Sequence, residues 1–180
     1  MPDFLSSIGK TTITASMVVD QVGSHLGQDG TSKSLGGESD FELLMLFRKR
    51  AGTVLTTGLT ARSENYRLPS SSALAILTRS TAETLPMELQ AEQVRLIGGE
   101  TVLTPAESVQ QLMTSSPTPI HIEFGPTALI ETLRSRNDVR AFISSEYESG
   151  GAAFISRWNL FQVGTFRFKN LYVTEVTGRV

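Results

Sequence analysis

The sequence predicts an α/β protein: a mixed, mostly parallel sheet of about eight strands, flanked by helices and closed by a C-terminal antiparallel hairpin. Two observations carry that prediction. Short β-branched or apolar runs alternate with helix-start signals from residue 11 to residue 145. The C-terminal portion then changes to two alternating, aromatic-rich runs on either side of Lys169-Asn170, the pattern of a hairpin.

Taken in order, Thr11 to Val19 is rich in β-branched residues and reads as the first strand. Gly23 to Gly37 carries glycines and serines and reads as a long polar loop. Ser39-Asp40-Phe41-Glu42 has the form of a capping box with Ser39 at the N-cap. Phe41, Leu44, Met45 and Phe47 follow at helical spacing, and Arg48, Lys49 and Arg50 suit the negative end of the helix. Thr53 to Thr57, Ala73 to Thr78 and Val94 to Ile97 read as strands, closed by Gly58 in the first case and by Gly98-Gly99 in the last. Thr104-Pro105-Ala106-Glu107 is a second capping box, with proline at the favoured first position of a helix to about Thr114. Pro119 to Glu123 reads as a strand, Thr127 to Arg136 as a helix and Val139 to Ser145 as a strand. Asn159 to Phe168 and Leu171 to Thr177 form the expected hairpin.

Composition narrows the function. The 180 residues suit one domain spanning 1–180. A net charge of −2 gives no basic footprint for nucleic acid or an acidic membrane surface. There is no cysteine, which removes disulfides, thiolate nucleophiles and Cys-based zinc sites. No apolar run is long enough to span a bilayer, and Met1 to Gly9 lacks the form of a signal peptide, so a cytosolic protein is expected.

Ligands of open α/β sheets bind at the carboxyl ends of strands, and three such ends stand out. At Thr57-Gly58-Leu59-Thr60, glycine admits close backbone approach and the threonines offer hydroxyls; a tight strand-to-loop turn is the other reading. At Thr78-Arg79-Ser80, an arginine between hydroxyls suits a phosphate monoester, or is a solvated loop residue. The third end is Ile120-His121-Ile122-Glu123-Phe124-Gly125-Pro126-Thr127. There Pro126 presets a helix whose first N–H groups, on Thr127, Ala128 and Leu129, face an anion, and Glu123 binds a hydroxyl or amine or handles a proton. A salt-bridged carboxylate before an ordinary helix is the alternative.

The order and spacing of these ends resemble the dihydrofolate reductase-like superfamily, and most closely the reductase domain of the bifunctional riboflavin-biosynthesis deaminase-reductase. Ala15-Ser16-Met17-Val18-Val19-Asp20 looks like that family's first strand and aspartate. Ala51 to Thr60 looks like its Gly-x-Thr turn, and Ile120 to Leu129 followed by Asn137-Asp138-Val139 looks like its Glu-Gly-Gly-Pro-Thr strand end and later Asp-Glu. The resemblance runs from about residue 10 to 146. It implies an oxidoreductase that transfers hydride from NADPH to a pyrimidine, pterin or ribosylamino-pyrimidine. It implies that Thr57, Gly58, Leu59 and Thr60 approach the cofactor, that Thr78, Arg79 and Ser80 lie near the adenosine 2′-phosphate, and that Gly125, Pro126 and Thr127 lie at the pyrophosphate or nicotinamide side. Asp20 and Glu123 are then the catalytic carboxylates facing the substrate, and the protein is a homodimer.

The chain also departs from that pattern. Phe124 stands where the family has glycine, Gln21 follows Asp20 where glycine is expected, and the stretch between Ser145 and Asn159 is short. Phe124 therefore favours a second reading, a non-catalytic homodimer of the same fold that has lost the cofactor. Arg95-Leu96-Ile97-Gly98-Gly99 mimics a cofactor motif of dihydrofolate reductase itself but reads as a turn, because the next capping box comes later. With two histidines, His25 in the loop and His121 within a strand, neither a catalytic triad nor a metal site is expected. No Gly-x-Ser-x-Gly elbow supports a hydrolase.

Overall fold

The parallel strands are built from short β-branched and apolar runs, and the computed structural model, which describes residues 8, 13–115 and 119–179, joins them into one sheet. Its strands are β1 (Ile13–Val18), β2 (Thr53–Thr57), β3 (Ala73–Thr78), β4 (Val94–Gly98), β5 (Ile120–Glu123), β6 (Arg140–Ser145), β7 (Phe161–Phe168) and β8 (Leu171–Thr177). The eight strands are ordered β4-β3-β2-β5-β1-β6-β8-β7. The first six are parallel, β8 runs antiparallel to β6, and β7 pairs antiparallel with β8 at the edge. The expected architecture is therefore observed, with the hairpin turning at Lys169, which takes a left-handed φ of 52°.

The helices are α1 (Gly37–Arg50), α2 (Gly58–Ser63), α3 (Pro105–Ser115), α4 (Pro126–Ser135) and α5 (Glu148–Trp158). On one face of the sheet, Val109 and Leu112 of α3, Leu129, Ile130 and Leu133 of α4 and Phe154 of α5 pack on Ile13, Ala15, Ile120, Ile122, Ala141 and Ile143. On the other, Leu43 and Phe47 of α1 meet Phe142, Leu171 and Val173, while Ala61 of α2 joins Val54, Leu74 and Ile76. Strand alternation thus gives β1 and β5 two unlike faces. The face toward α3 to α5 is wholly apolar. The face toward α1 carries Thr14, Ser16, His121 and Glu123.

The second capping box forms as the sequence indicates: Glu107 N–H donates to Thr104 Oγ1 at 3.2 Å, and Thr104 N–H donates to Glu107 Oε2 at 2.8 Å. The first does not form. Helix α1 starts earlier, capped by Gly36 in the left-handed region at φ 72°, and Ser39 lies inside its first turn. Its core face is Leu43 and Phe47, whereas Phe41 is 61% exposed. Gly58 opens the short helix α2 rather than only closing β2, with Thr57 Oγ1 accepting from Thr60 N–H at 3.1 Å. Helix α5 was not expected between Ser145 and Asn159. Its Gly150 and Gly151 lower helix propensity, yet both are needed for packing. A Cβ on Gly150 would lie 2.5 Å from the Asp20 carbonyl oxygen, and one on Gly151 would lie 2.4 Å from Thr174 Oγ1. Thr11 and Thr12 of the expected first strand fall outside the described residues.

No helix among the described residues is long and apolar enough to cross a membrane. The loop after β1 is anchored on α5: Arg157 Nη1 donates to the Gly23 carbonyl at 3.2 Å, and Ser149 Oγ to that of Gln21 at 2.9 Å. Gly23 sits at φ +74° and a Cβ there would lie 2.5 Å from Phe154 N, in backbone that cannot yield. Gly23→Ala therefore combines left-handed strain with a clash, and a loss of roughly 2–4 kcal/mol is expected. Urea unfolding checks this; an unchanged midpoint would show that the loop does not pack so closely.

Candidate active site

The chain runs from β1 outward through β2, β3 and β4, then returns to place β5 between β2 and β1. That reversal creates a switch point, and the crevice beyond the carboxyl ends of β1, β2 and β5 is where such sheets take ligands. A cavity of about 500 Å³ opens there. Its floor is Arg48, Tyr66 and Glu123, with Asp40 and Ser144 toward the start of α1. Met17, Leu43, Leu44 and Phe124 form apolar wall, and His25, Ser32, Lys33 and Arg67 also line it.

Glu123 ends β5 and points to the α1 side. Arg48 Nε donates to Oε1 and Nη2 to Oε2, both at 2.7 Å, and Tyr66 Oη donates to Oε2 at 2.5 Å. Burial pushes this carboxyl up, but the bonds and charge of Arg48 outweigh it and hold the pKa below the usual value. Tyr66 moves the other way. Burial, and then the negative charge of Glu123, raise it well above an ordinary phenol, so it stays protonated and donates. The Arg48 guanidinium also lies 5.0 Å from the centre of the Tyr66 ring.

Two residues earlier on the same face, His121 is fully buried between β1 hydroxyls, with Nδ1 2.9 Å from Thr14 Oγ1 and Nε2 3.0 Å from Ser16 Oγ. Its ring stacks on Phe47 at 4.7 Å and 5°. Burial lowers its pKa to about 4, so the ring is neutral near pH 7, and the 4.0 Å approach of Nε2 to Glu123 Oε1 is not an ion pair there. His121 is thus a structural, hydrogen-bonded histidine within its strand.

Asp40 is a second carboxyl of the site, and Glu64 also lines the cavity. Ser144 Oγ donates to its Oδ1 at 2.6 Å. Burial raises its pKa to about 6, against the Ser144 bond and helped by the negative charge of Glu123. The sequence reading missed Asp40, Ser144, Tyr66 and the role of Arg48, which it assigned to the helix end. One signal was available: Asp40, Leu44 and Arg48 recur at four-residue spacing, which sets both charged side chains on one stripe with apolar neighbours.

Of the residues singled out by sequence, the cavity gathers Glu123, Gly125 and Thr60. Asp20 is elsewhere: its Oδ1 accepts from Val22 N–H at 2.9 Å and Ser24 N–H at 2.7 Å, tying a turn. It faces a separate cavity of about 580 Å³ beside Glu146 and Tyr147. Thr78, Arg79 and Ser80 line a cleft of about 330 Å³ with Gly98, Gly99 and Glu100 at the ends of β3 and β4. Gly98 ends the edge strand β4 and Gly99 begins the turn after it, both at positive φ. Gly58 lets α2 pack on the end of β3, since a Cβ would lie 2.8 Å from Thr78 Oγ1, and Leu59 is exposed. Pro126 is the first residue of α4 and Thr127 is exposed on its first turn. Leu129 N–H already donates to the Gly125 carbonyl at 3.0 Å, so only those of Thr127 and Ala128 lie ahead of the helical ladder. Phe124 is 3% exposed and turned into the core.

Solved structures match this fold over nearly the whole chain. A pyrimidine reductase-like protein from Corynebacterium diphtheriae superposes with a TM-score of 0.66 at 20% identity, covering 98% of this chain and 95% of that one. Dihydrofolate reductase from Schistosoma mansoni gives 0.55 at 14% identity, over 92% and 96%. The chain has the dihydrofolate reductase-like fold. RibD from Acinetobacter baumannii gives 0.63 at 12% identity; 95% of this chain covers 59% of that one. The riboflavin biosynthesis reductase Rib7 of Saccharomyces cerevisiae also gives 0.63, at 9% identity over 93% and 89%. No protein-family model matches the sequence, and no curated protein matches it.

Asp40 carries a pH signature. Its pKa is near 4 in the unfolded chain and about 6 when folded, so the folded state binds the extra proton between those values. Stability from this group is intact below pH 4 and falls as pH rises to about 6, by on the order of 3 kcal/mol. Asp40→Asn should therefore be more stable than the parent at pH 7.5, with the advantage vanishing at pH 4. Urea midpoints at the two pH values test this, and a pH-independent difference would contradict it.

Proposed function

We propose that the protein is an NADPH-dependent reductase that transfers hydride to a small pyrimidine, pterin or ribosylamino-pyrimidine, in the manner of riboflavin-biosynthesis reductases. The observation that carries this reading is the switch-point cavity itself. It holds one carboxyl, Asp40, that is protonated up to about pH 6 and bonded on Oδ1 alone, beside a glycine-proline helix start. The fold's occurrence in a pyrimidine reductase-like protein, a riboflavin biosynthesis reductase and a dihydrofolate reductase supports it.

The residues present fit a dinucleotide. A Cβ on Gly125 would meet only Thr60 Oγ1, at 3.6 Å, so space is open over the start of α4. No side chain caps that helix, and its first N–H groups and dipole favour a pyrophosphate. Phe124 is 3% exposed and packs into the core, which supports an open approach to this helix start. In this reading Gly125, Pro126 and Thr127 hold the pyrophosphate side, and Thr57, Gly58, Leu59 and Thr60 border the dinucleotide. Arg79, with Thr78 and Ser80, takes the 2′-phosphate, and Glu100 in the same cleft sets the balance against it.

The bound dinucleotide supplies the hydride. The chain's own part is to orient the ring and deliver a proton. Met17, Leu43 and Leu44 exclude water, Ser144 fixes Oδ1 of Asp40, and Oδ2 is the oxygen that presents the proton. Glu123 sits at the floor, its carboxyl held below the usual pKa by Arg48, and Asp20 acts through the turn it holds. The same reading takes the protein as a cytoplasmic homodimer. The edge strand β7, with Phe161 and Val163 exposed, is the surface available for pairing.

Titration with NADPH, followed by nucleotide fluorescence, tests the reading. Saturable micromolar binding is expected, tighter than for NADH and about tenfold weaker in Arg79→Ala, as loss of a charge-assisted phosphate bond implies. Absence of binding by either nucleotide would sink the reductase reading and restore the non-catalytic homodimer.

A further inference from the structure

We infer that the ligand meets Arg48, not Glu123, at the floor of the cavity, and that Arg48 selects a ring presenting a carbonyl or enolate oxygen. This rests on the proposed reductase site but concerns ligand recognition alone. Donor and acceptor capacity decides it. The Glu123 carboxylate accepts two N–H groups of Arg48 and the Tyr66 hydroxyl, and its charge is matched by the guanidinium. Arg48 has five N–H donors and commits two to Glu123, through Nε and Nη2. The Nη1 edge remains. Among the described residues Ser72 Oγ is the one buried side-chain polar atom lacking a partner, so Nη1 is not sealed in protein, and Arg48 lines the cavity.

The surroundings hold that edge still. The bidentate pair fixes the guanidinium plane, Tyr66 lies against its face at 5.0 Å, and only 12% of the Arg48 side chain is exposed. A donor edge fixed this way prefers an oxygen to an amino group. Glu123 and Tyr66 are then positioning residues that act through Arg48. Asp40 lies eight residues away on α1, about 12 Å along the helix axis. It does not compete for the same ligand atom, so the carbonyl oxygen and the proton-accepting atom belong to opposite ends of the substrate.

Calorimetric titration with barbiturate, a pyrimidine whose charge at neutral pH lies on its carbonyl oxygens, is the test, with no nucleotide present. Glu123→Gln should bind the probe as tightly as the parent or more tightly, since it removes a negative charge and leaves Arg48. Adding Arg48→Met to Glu123→Gln should weaken binding about tenfold or more. The double variant leaves no unpaired buried charge, so it is expected to fold, and circular dichroism checks that. Arg48→Lys, which keeps the ion pair but lacks the Nη1 edge, should show the same loss. Equal affinity of Glu123→Gln with and without Arg48→Met would overturn the inference, as would no binding by the parent. Neither result bears on NADPH binding, which its own titration decides.

Discussion

An ionised carboxylate beneath a helix, at the end of a central parallel strand, is tolerable only if its charge is answered on the spot. Arg48 answers it with two 2.7 Å bonds, and Tyr66 adds a third. Much of the site follows from that pair. It joins the last turn of α1 to β5, so the helix can lie over the sheet in one register only. It draws Tyr66 across from the chain segment after α2, which closes the cavity floor. Removing Arg48 alone would strand the carboxylate at a cost of about 3–5 kcal/mol, whereas a matched apolar pair would cost little. Stability therefore does not explain the pair. A floor of fixed polarity does.

The pair also explains the asymmetry of the central strands. Ile120 and Ile122 of β5 face α3 to α5 and are buried in the apolar core, while His121 and Glu123 alternate onto the α1 face. A parallel strand buried on both sides normally reads as an unbroken apolar run. Here each polar side chain on the inner α1 face finds at least one partner: His121 between Thr14 and Ser16, Glu123 on Arg48 and Tyr66, Asp40 on Ser144. A connected network of this kind rigidifies the wall against which a ligand lies.

How much of this was legible depends on distance along the chain. Local signals carried the strands, the hairpin and the α3 capping box, because each is decided within a few residues. Glu123 was visible because a glutamate before Gly-Pro interrupts an apolar strand. Its partners lie 75 and 57 residues away, and no local pattern links Arg48 or Tyr66 to it. The start of α1 was misplaced for a related reason. Ser39 offers a good local cap, but Asp40 is held by Ser144 on β6 and Gly36 can take the left-handed turn that begins the helix earlier. Helix α5 was hidden by Gly150 and Gly151, whose poor local propensity is overridden by the close approach they allow. Asp20 illustrates the converse. Its place in a family pattern suggested chemistry, and its carboxylate is committed to the backbone of its own turn.

The titrating groups of this face work against one another. Asp40, raised to about 6, withdraws stability as pH climbs from about 4 to 6. His121, lowered to about 4, does the opposite: the unfolded chain takes up a proton below about 6.5 that the buried ring refuses, so stability grows over nearly the same interval. Glu123, held below its usual value by Arg48 once burial is overcome, adds stability in the same direction as His121, lost only at more acid pH. The Asp40 and His121 slopes are opposite in sign between about pH 4 and 6, so they offset one another in part. A site can therefore keep a protonated carboxyl in a buried cavity while a neutral histidine on the adjoining strands offsets part of its pH dependence.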